Sequence, residues 1–135
     1  MKDFRLFIDQ QRQFYRSIVS INCPVLNNTV FFTSEGFTHL IYESNLMPRK
    51  LSEQYLKLIN LKYVPTIVSK STKIIEIRCG TRKIKGKIKN TIGYELVGFC
   101  GNKKIGVIVE RVGFGKFTFK SVIPYYKRKK TKKLP

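Results

Sequence analysis

The chain contains one histidine, His39, and the carboxylate of Glu43 follows it by four residues. Apolar side chains at helical spacing predict a helix from Glu35 to about residue 45. On such a helix His39 and Glu43 would be neighbours one turn apart. Imidazole titrates near neutral pH, so this pair is a candidate for general acid or base catalysis. The alternative is a half-exposed surface pair without a catalytic role.

The net charge of +19 indicates what kind of partner the protein has, because 27 basic residues face only eight acidic ones. Such an excess calls for a polyanion. Nucleic acid is the first candidate, an anionic membrane the second and an acidic protein the third. No apolar run approaches the roughly 20 residues of a membrane span, and charged residues interrupt the early apolar residues. We therefore predict no signal peptide, no membrane association and a cytoplasmic location.

The cysteines and carboxylates argue against a metal centre. Cys23, Cys79 and Cys100 are far apart and never form a CxxC pair, which predicts reduced, mostly buried thiols. The eight acidic residues show no local cluster of the kind that a two-metal nuclease needs. We predict chemistry without a metal or another cofactor.

The order of patterns predicts one α+β domain over residues 1–126 and a basic tail over residues 127–135. Helices come first and pack on a curled antiparallel sheet of four to six strands. Gly101-Asn102 and the segment 113–115 are predicted hairpin turns, so the last three strands should form a meander. The predicted helices cover about 3–21, 35–45 and 51–62, and the predicted strands cover about 29–33, 66–69, 73–79, 83–89, 94–100, 105–112 and 116–123.

A lysine-rich segment over residues 83–89 is the clearest basic surface. Alternation over residues 83–89, read as one strand, would place four ammonium groups on one face. Arg78 and Arg82 flank the segment. The lysines either guard an edge strand against aggregation or bind phosphate, and the two roles are compatible. The four are Lys83, Lys85, Lys87 and Lys89.

The last strand carries a second candidate group. Alternation would place Ser121 on the same face as Phe117 and Phe119, with Thr118 and Lys120 opposite. The hydroxyl is either satisfied at the rim of the sheet or contacts phosphate. Tyr125, just beyond, could stack on a base or cover the core.

The order of these parts resembles the metal-independent endoribonuclease superfamily that includes barnase, EndoU, colicin D and RelE-type toxins. The segments that carry the resemblance are FTHLIYE, LKYVPTIV and KKIGVIVERVGFGKFTFKSVIPYY. They are most similar to the branch found in phages and mobile elements. In that branch a helix-borne His, basic residues and a late-strand Ser or Thr line one cleft. The resemblance assigns these places to His39, Arg49 or Lys50, Arg111, and Thr118 or Ser121.

The predicted function is a toxin-like endoribonuclease that cleaves tRNA or mRNA by attack of the 2′-hydroxyl. His39 would be the base or the acid, and Glu43 its counterpart or its orienting partner. Cations would stabilise the charge on phosphorus. The predicted catalytic residues are His39, Glu43, Arg49, Arg111 and Ser121. The predicted nucleic-acid contacts are Lys50, Arg78, Arg82, Lys83, Lys85, Lys87, Lys89, Thr118, Lys120, Tyr125, Lys127 and Arg128.

Two further expectations concern partners. A toxin of this kind would be covered by an acidic antitoxin or immunity protein. The alternative function is a non-catalytic nucleic-acid-binding module, ribosome-associated or phage-encoded, that uses the same basic surface. Loss of RNA cleavage on replacing His39 would separate the enzyme from the binding module.

Overall fold

The computed structural model describes residues 2–43 and 45–125, and most of its helices precede the main part of the sheet. None of the described helices is both long enough and apolar enough to cross a membrane. The helices are α1 (Lys2–Ile18), α2 (Ser34–Ile41), α3 (Leu51–Ile59) and α4 (Val64–Lys70). A 3₁₀ turn at Leu61–Tyr63 joins α3 to α4, and another at Pro24–Leu26 connects the first two strands. The strands are β1 (Ser20–Cys23), β2 (Asn28–Phe31), β3 (Ile74–Ile84), β4 (Lys87–Cys100), β5 (Lys103–Val112) and β6 (Phe117–Pro124).

Within the described residues these strands form one open sheet in the order β1-β2-β6-β5-β4-β3. Strands β3 to β6 pair antiparallel with their chain neighbours, which confirms the predicted meander and the α+β class. One feature is new, since β2 pairs with β6 in parallel, with Val30 opposite Phe117. This pairing brings the chain that enters α2 alongside the last strand of the meander.

Aromatic packing joins the helices to one face of the sheet. Tyr15 of α1 and Phe119 of β6 are almost fully buried. Phe32 stacks on Phe119 with ring centroids 5.3 Å apart, and Tyr15 lies tilted against the same ring at 5.9 Å. Burial of each such side chain contributes about 1.5–3 kcal/mol to the free energy of unfolding. The core therefore fixes α1 and the start of α2 against β6.

The segment 66–69, predicted as a strand, is helical in α4. Its β-branched residues suggested a strand, but Pro65 stands in the first turn of α4, where its missing N–H is harmless. Ile67 and Val68 are buried by packing against the core. Tertiary burial thus overrides the local strand preference.

The segment 83–89, predicted as one strand, is instead the tip of the β3–β4 hairpin. Lys85 and Gly86 have φ angles of +51° and +80°, which suit a two-residue turn. Lys83 pairs with Ile88, and Arg82 pairs with Lys89. The prediction that all four lysines share one face is therefore wrong.

The cysteines are free, but they are not mostly buried. Cys23 is buried, Cys100 is half-buried and Cys79 is exposed. Cys79 lies on β3, the edge strand of the sheet, whose side chains are mainly open to solvent.

Candidate active site

His39 lies on α2 and pairs with a carboxylate on the preceding turn. Its Nε2 atom is 3.7 Å from Oε2 of Glu35, and 22% of its side chain is exposed. Glu35 is four residues before His39, so helical periodicity brings the two side chains together. The histidine is thus half-buried beside an acid, as predicted, but the acid is a different one.

Glu43 does not lie on the helix, because α2 ends at Ile41 rather than near residue 45. Tyr42 is extended and forms a β-bridge with Pro48. The backbone N–H of Arg49 donates to the carbonyl of Ile41 over 2.8 Å. This closed loop carries Glu43 out of helical register, which corrects its predicted pairing with His39.

Gly36 allows α2 to lie directly against the backbone of β6. A Cβ atom at this position would meet the carbonyl oxygen of Phe119 at 2.6 Å and would also overlap the hydroxyl of Tyr15. That hydroxyl donates a 2.6 Å hydrogen bond to the carbonyl of Thr33, just before α2 begins. The absence of a side chain at residue 36 therefore sets how closely His39 approaches the strands.

Charged side chains from three strands meet next to His39. Glu110 of β5 accepts hydrogen bonds from Arg82 of β3 and, over 3.1 Å, from the ammonium of Lys120 of β6. Arg82 also reaches Glu35, with 3.7 Å between Nη1 and Oε2. We call Glu35, His39, Arg82, Glu110 and Lys120 the histidine cluster.

Glu110 is absent from the residues predicted to form the site. It directly follows the apolar run IGVIV in β5, and its side chain is only 12% exposed. A carboxylate facing away from Val107 and Val109 in such a strand is the signal that could have identified it. Arg82 and Lys120 were predicted as contacts for nucleic acid, and the structure brings both to this carboxylate.

A β-bulge in β6 directs Lys120 into the histidine cluster. Val109 pairs with Phe119 and Ile108 pairs with Ser121, so Lys120 is the extra residue. Beyond the bulge the alternation of side chains shifts by one residue. Val122, rather than Ser121, is therefore the next side chain after Phe119 that is buried on the core face. The predicted face of Ser121 is therefore wrong.

The surroundings of His39 lower its pKa below the ordinary value of 6.5. Partial burial is the largest cause, followed by the positive charge of Lys120. Arg82 acts in the same direction, and the carboxylates of Glu35 and Glu110 oppose it. The net effect favours a neutral imidazole at neutral pH, which can accept a proton.

Two arginines predicted to be catalytic contact other parts of the protein. Arg49 donates from Nε to the backbone carbonyl of His39 over 2.9 Å and from Nη1 to Glu53 over 3.0 Å. Arg111 lies over the ring of Phe117 and donates to the carbonyl of Gly115 over 3.0 Å. Arg49 thus joins α2 to α3, and Arg111 braces the β5–β6 turn.

Ser121 contacts a lysine that the sequence did not suggest. Lys57 of α3 donates to Ser121 Oγ over 3.1 Å and to the carbonyl of Val122 over 3.0 Å. Burial is the largest cause that lowers the pKa of Lys57, to about 8, and the positive charge of Arg49 adds to it. Lys57 therefore ties α3 to the strand just after the bulge.

An open groove of about 360 Å³ leads away from the histidine cluster across β3, β4 and β5. Glu110 and Lys120 line its near end, and the buried Glu95, which accepts a hydrogen bond from Tyr125, lines the far end. Hydrogen bonding to Glu95 is the main cause that raises the pKa of Tyr125 to about 12. Glu110 and Lys120 line both this groove and the small cleft that contains His39, so the two adjoin.

The remaining predicted contacts are dispersed. Arg78 lines the groove and pairs with Glu76, and Thr118 donates to the backbone carbonyl of Glu110 over 3.3 Å. Lys50 is exposed just before α3. Lys127 and Arg128 lie outside the described residues. Among residues 2–43 and 45–125, no three His, Cys, Asp or Glu side chains are grouped as a metal site requires.

Comparison of the chain with protein-family models, with curated proteins and with solved structures gives no match. The resemblance to metal-independent endoribonucleases stays a prediction. The candidate site is thus described by its own residues, with His39 and Glu110 contributed by separate elements that meet at the end of an open groove.

Proposed function

We propose that this protein is a metal-independent endoribonuclease and that the histidine cluster is its active site. One observation carries the proposal: a half-buried histidine, a half-buried carboxylate and two cations meet beside a groove. Cleavage of RNA at phosphorus needs a base for the 2′-hydroxyl, an acid for the leaving oxygen and positive charge against the phosphorane. The cluster offers a group for each of these tasks.

In this mechanism the neutral imidazole of His39 takes the proton of the 2′-hydroxyl. The 2′-oxygen then bonds to the adjacent phosphorus, and the bond to the 5′-oxygen breaks. The ammonium of Lys120 protonates that oxygen, while the guanidinium of Arg82 binds the equatorial phosphate oxygens. The products are a 2′,3′-cyclic phosphate and a free 5′-hydroxyl.

Glu110 and Glu35 act on the cations and on His39 rather than on the substrate. Glu110 holds Arg82 and Lys120 at one place before RNA binds. A phosphate of the RNA competes with Glu110 for Arg82 and Lys120. Substrate binding therefore replaces the contacts of these two cations with Glu110. The cations are thus preorganised where negative charge develops.

The biological setting that we propose follows from the same activity. An RNA target, tRNA or mRNA, fits the charge of +19. A toxin-like role in a phage or mobile element, with an acidic antitoxin or immunity protein as partner, fits a nuclease with a net charge of +19. We place this activity in the cytoplasm, where such RNA is found.

The test is cleavage by purified protein in EDTA, with total tRNA and a structured mRNA as substrates. Wild-type protein should leave discrete fragments ending in 2′,3′-cyclic phosphate. His39→Ala should lower the cleavage rate by about 10²–10⁴-fold, since it removes the base. Thr38→Ala is the matched control, because Thr38 precedes His39 on α2 and its hydroxyl donates to the helix carbonyl of Ser34.

Intact RNA bound equally well by the wild-type and His39→Ala proteins would contradict the enzyme and favour the second candidate. That candidate is a non-catalytic nucleic-acid-binding module, and the basic tip of the β3–β4 hairpin supports it. Loss of cleavage in both variants would mean that the effect of His39→Ala is not specific to the imidazole, which would contradict its assignment as the base.

A further inference from the structure

The tip of the β3–β4 hairpin extends beyond the rest of the sheet. Pairing between β4 and β5 ends at Thr91 and Val112, whereas β3 and β4 continue to pair up to Ile84 and Lys87. We call residues 82–89 the ribbon. Its sequence, RKIKGKIK, carries five cations and no acid.

The two faces of the ribbon differ in their charged residues. Residues opposite each other in an antiparallel pair project from the same face. Arg82 pairs with Lys89 and Ile84 pairs with Lys87, so these four share one face. Lys83 pairs with Ile88 on the other face, and Lys85 lies in the turn.

Arg82 identifies the face that continues the candidate active site. Its guanidinium contacts Glu110 and Glu35 of the histidine cluster. Lys89 and Lys87 therefore add positive charge next to the cluster, on the face of the hairpin that carries Arg82. The four lysines of the ribbon make no ion pair with the described carboxylates, so their charge is available to a partner.

We propose that the groove-side face of the ribbon, Lys87 and Lys89, binds the phosphates of the RNA strand that flanks the cleaved bond. The proposal rests on the proposed function. Gly93 of β4 pairs with Glu110 of the cluster. Lys89 and Lys87 lie four and six residues before Gly93 on β4. At about 3.3 Å per residue they lie roughly 13 and 20 Å away, or about four and six stacked nucleotides.

The substrate class follows from this distance. A trinucleotide bound in the cluster cannot reach Lys87, whereas an RNA of about ten nucleotides or more can. The ribbon thus selects long RNA over short RNA without reading bases, because its contacts are made to phosphates.

The experiment compares two double variants with the same loss of charge. Lys87→Ala/Lys89→Ala removes the groove-side pair, and Lys83→Ala/Lys85→Ala removes two cations from the opposite face and the turn. Both are made in the His39→Ala background, and binding to a 20-nucleotide RNA is measured across a salt series. Thermal unfolding of each variant confirms that the fold is intact.

A plot of the logarithm of the binding constant against the logarithm of the salt concentration has a negative slope. We expect Lys87→Ala/Lys89→Ala to make that slope less steep by about 1.4, the value for two lost phosphate contacts on a single strand. Lys83→Ala/Lys85→Ala should reduce it by less than half of that. In the background with His39 present, the first variant should lower the kcat/KM ratio of the 20-nucleotide RNA to a trinucleotide by about tenfold.

Equal slopes for the two variants would overturn the proposal and leave the lysines as a guard of the β3 edge. Failure of the His39→Ala protein to bind the 20-nucleotide RNA would overturn it as well. Failure of the proposed function looks different: the wild-type protein would cut no RNA, while the slopes would still differ between the variants.

Discussion

The histidine cluster and the ribbon both contain cations, but only the cluster contains carboxylates. In the cluster, Glu110 and Glu35 hold the cations, and packing against α2 fixes the geometry. In the ribbon, lysines project from a two-stranded hairpin with no acid among them. The comparison teaches that positive charge serves two purposes here: paired and half-buried it can be positioned for chemistry, and unpaired and exposed it can attract a polyanion.

One glycine substitution in the histidine cluster region and one in the ribbon test whether the cluster depends on the packing of α2 against β6. Gly36→Ala should lower the free energy of unfolding by about 2–3 kcal/mol, because its Cβ would overlap the carbonyl oxygen of Phe119. The displaced α2 should also reduce RNA cleavage by about 100-fold, as a misplacement of about 1 Å can. Urea unfolding and cleavage assays measure the two effects.

The counterpart in the ribbon is Gly86→Ala. Gly86 has φ +80°, and a Cβ there would meet no atom within 4 Å. The cost is therefore the backbone strain of a left-handed residue, about 1–2 kcal/mol, with no loss of cleavage of short RNA. Equal losses of activity in the two variants would mean that the close approach of α2 to β6 does not position the site.

Removal of a carboxylate tests whether the cluster needs its acids. Glu110→Gln should destabilise the protein by about 1–3 kcal/mol, because it weakens the half-buried contacts with Arg82 and Lys120. Cleavage should fall with it, since the two cations lose their common anchor. Glu76→Gln removes the same charge from an exposed pair with Arg78 and should leave the urea midpoint unchanged. A silent Glu110→Gln would remove Glu110 from the site.

Lys57 is a half-buried cation on α3 that contacts β6 just after the bulge. Its pKa is lowered to about 8 from 10.5, so between these values the unfolded chain binds more protons than the folded one. The free energy of unfolding should therefore rise with pH above 8, by at most about 1.4 kcal/mol per pH unit. Lys57→Met should lack this rise, and Lys83→Met, an exposed ribbon control, should retain it. Urea unfolding between pH 8 and 9.5 measures the difference.

The smallest expected effect is on the titration of His39, which NMR can follow directly because the chain has one histidine. The pKa of His39 should lie below 6.5. Glu35→Gln should lower it further, since the Glu35 carboxylate favours the protonated imidazole. Glu43→Gln should have no effect, because Glu43 lies beyond the end of α2. The opposite result would restore the pairing that the sequence predicts.

Much of the fold is predictable because it depends on local patterns. Alternation located β5 and β6, and glycine-containing turns located the hairpins at residues 101–102 and 113–115. The segment 66–69 was misread because its β-branched residues favour strands, while burial and Pro65 favour α4. The sequence does not indicate the turn at Lys85-Gly86, because lysine is uncommon at positive φ. The alternation of lysine with apolar residues or glycine also runs through the turn without a break.

The site was only partly predictable. His39 was identified because imidazole is the one side chain that titrates near neutral pH, and Arg82 and Lys120 were among the predicted cations. Glu35 was passed over because the helix was extended past its real end. Glu110 was passed over because nothing adjacent in the chain suggests that it lies near His39.

The α+β class, the meander and the strong positive charge follow from periodicity and composition within short windows of the sequence. The meeting of residues 35, 39, 82, 110 and 120 follows from the tertiary structure alone. That meeting depends on the strand register, on one extra residue in β6 and on a glycine that lets α2 touch the strand. Such contacts join residues far apart in the chain, and each depends on backbone geometry to within an ångström or so, which residue type and spacing do not specify.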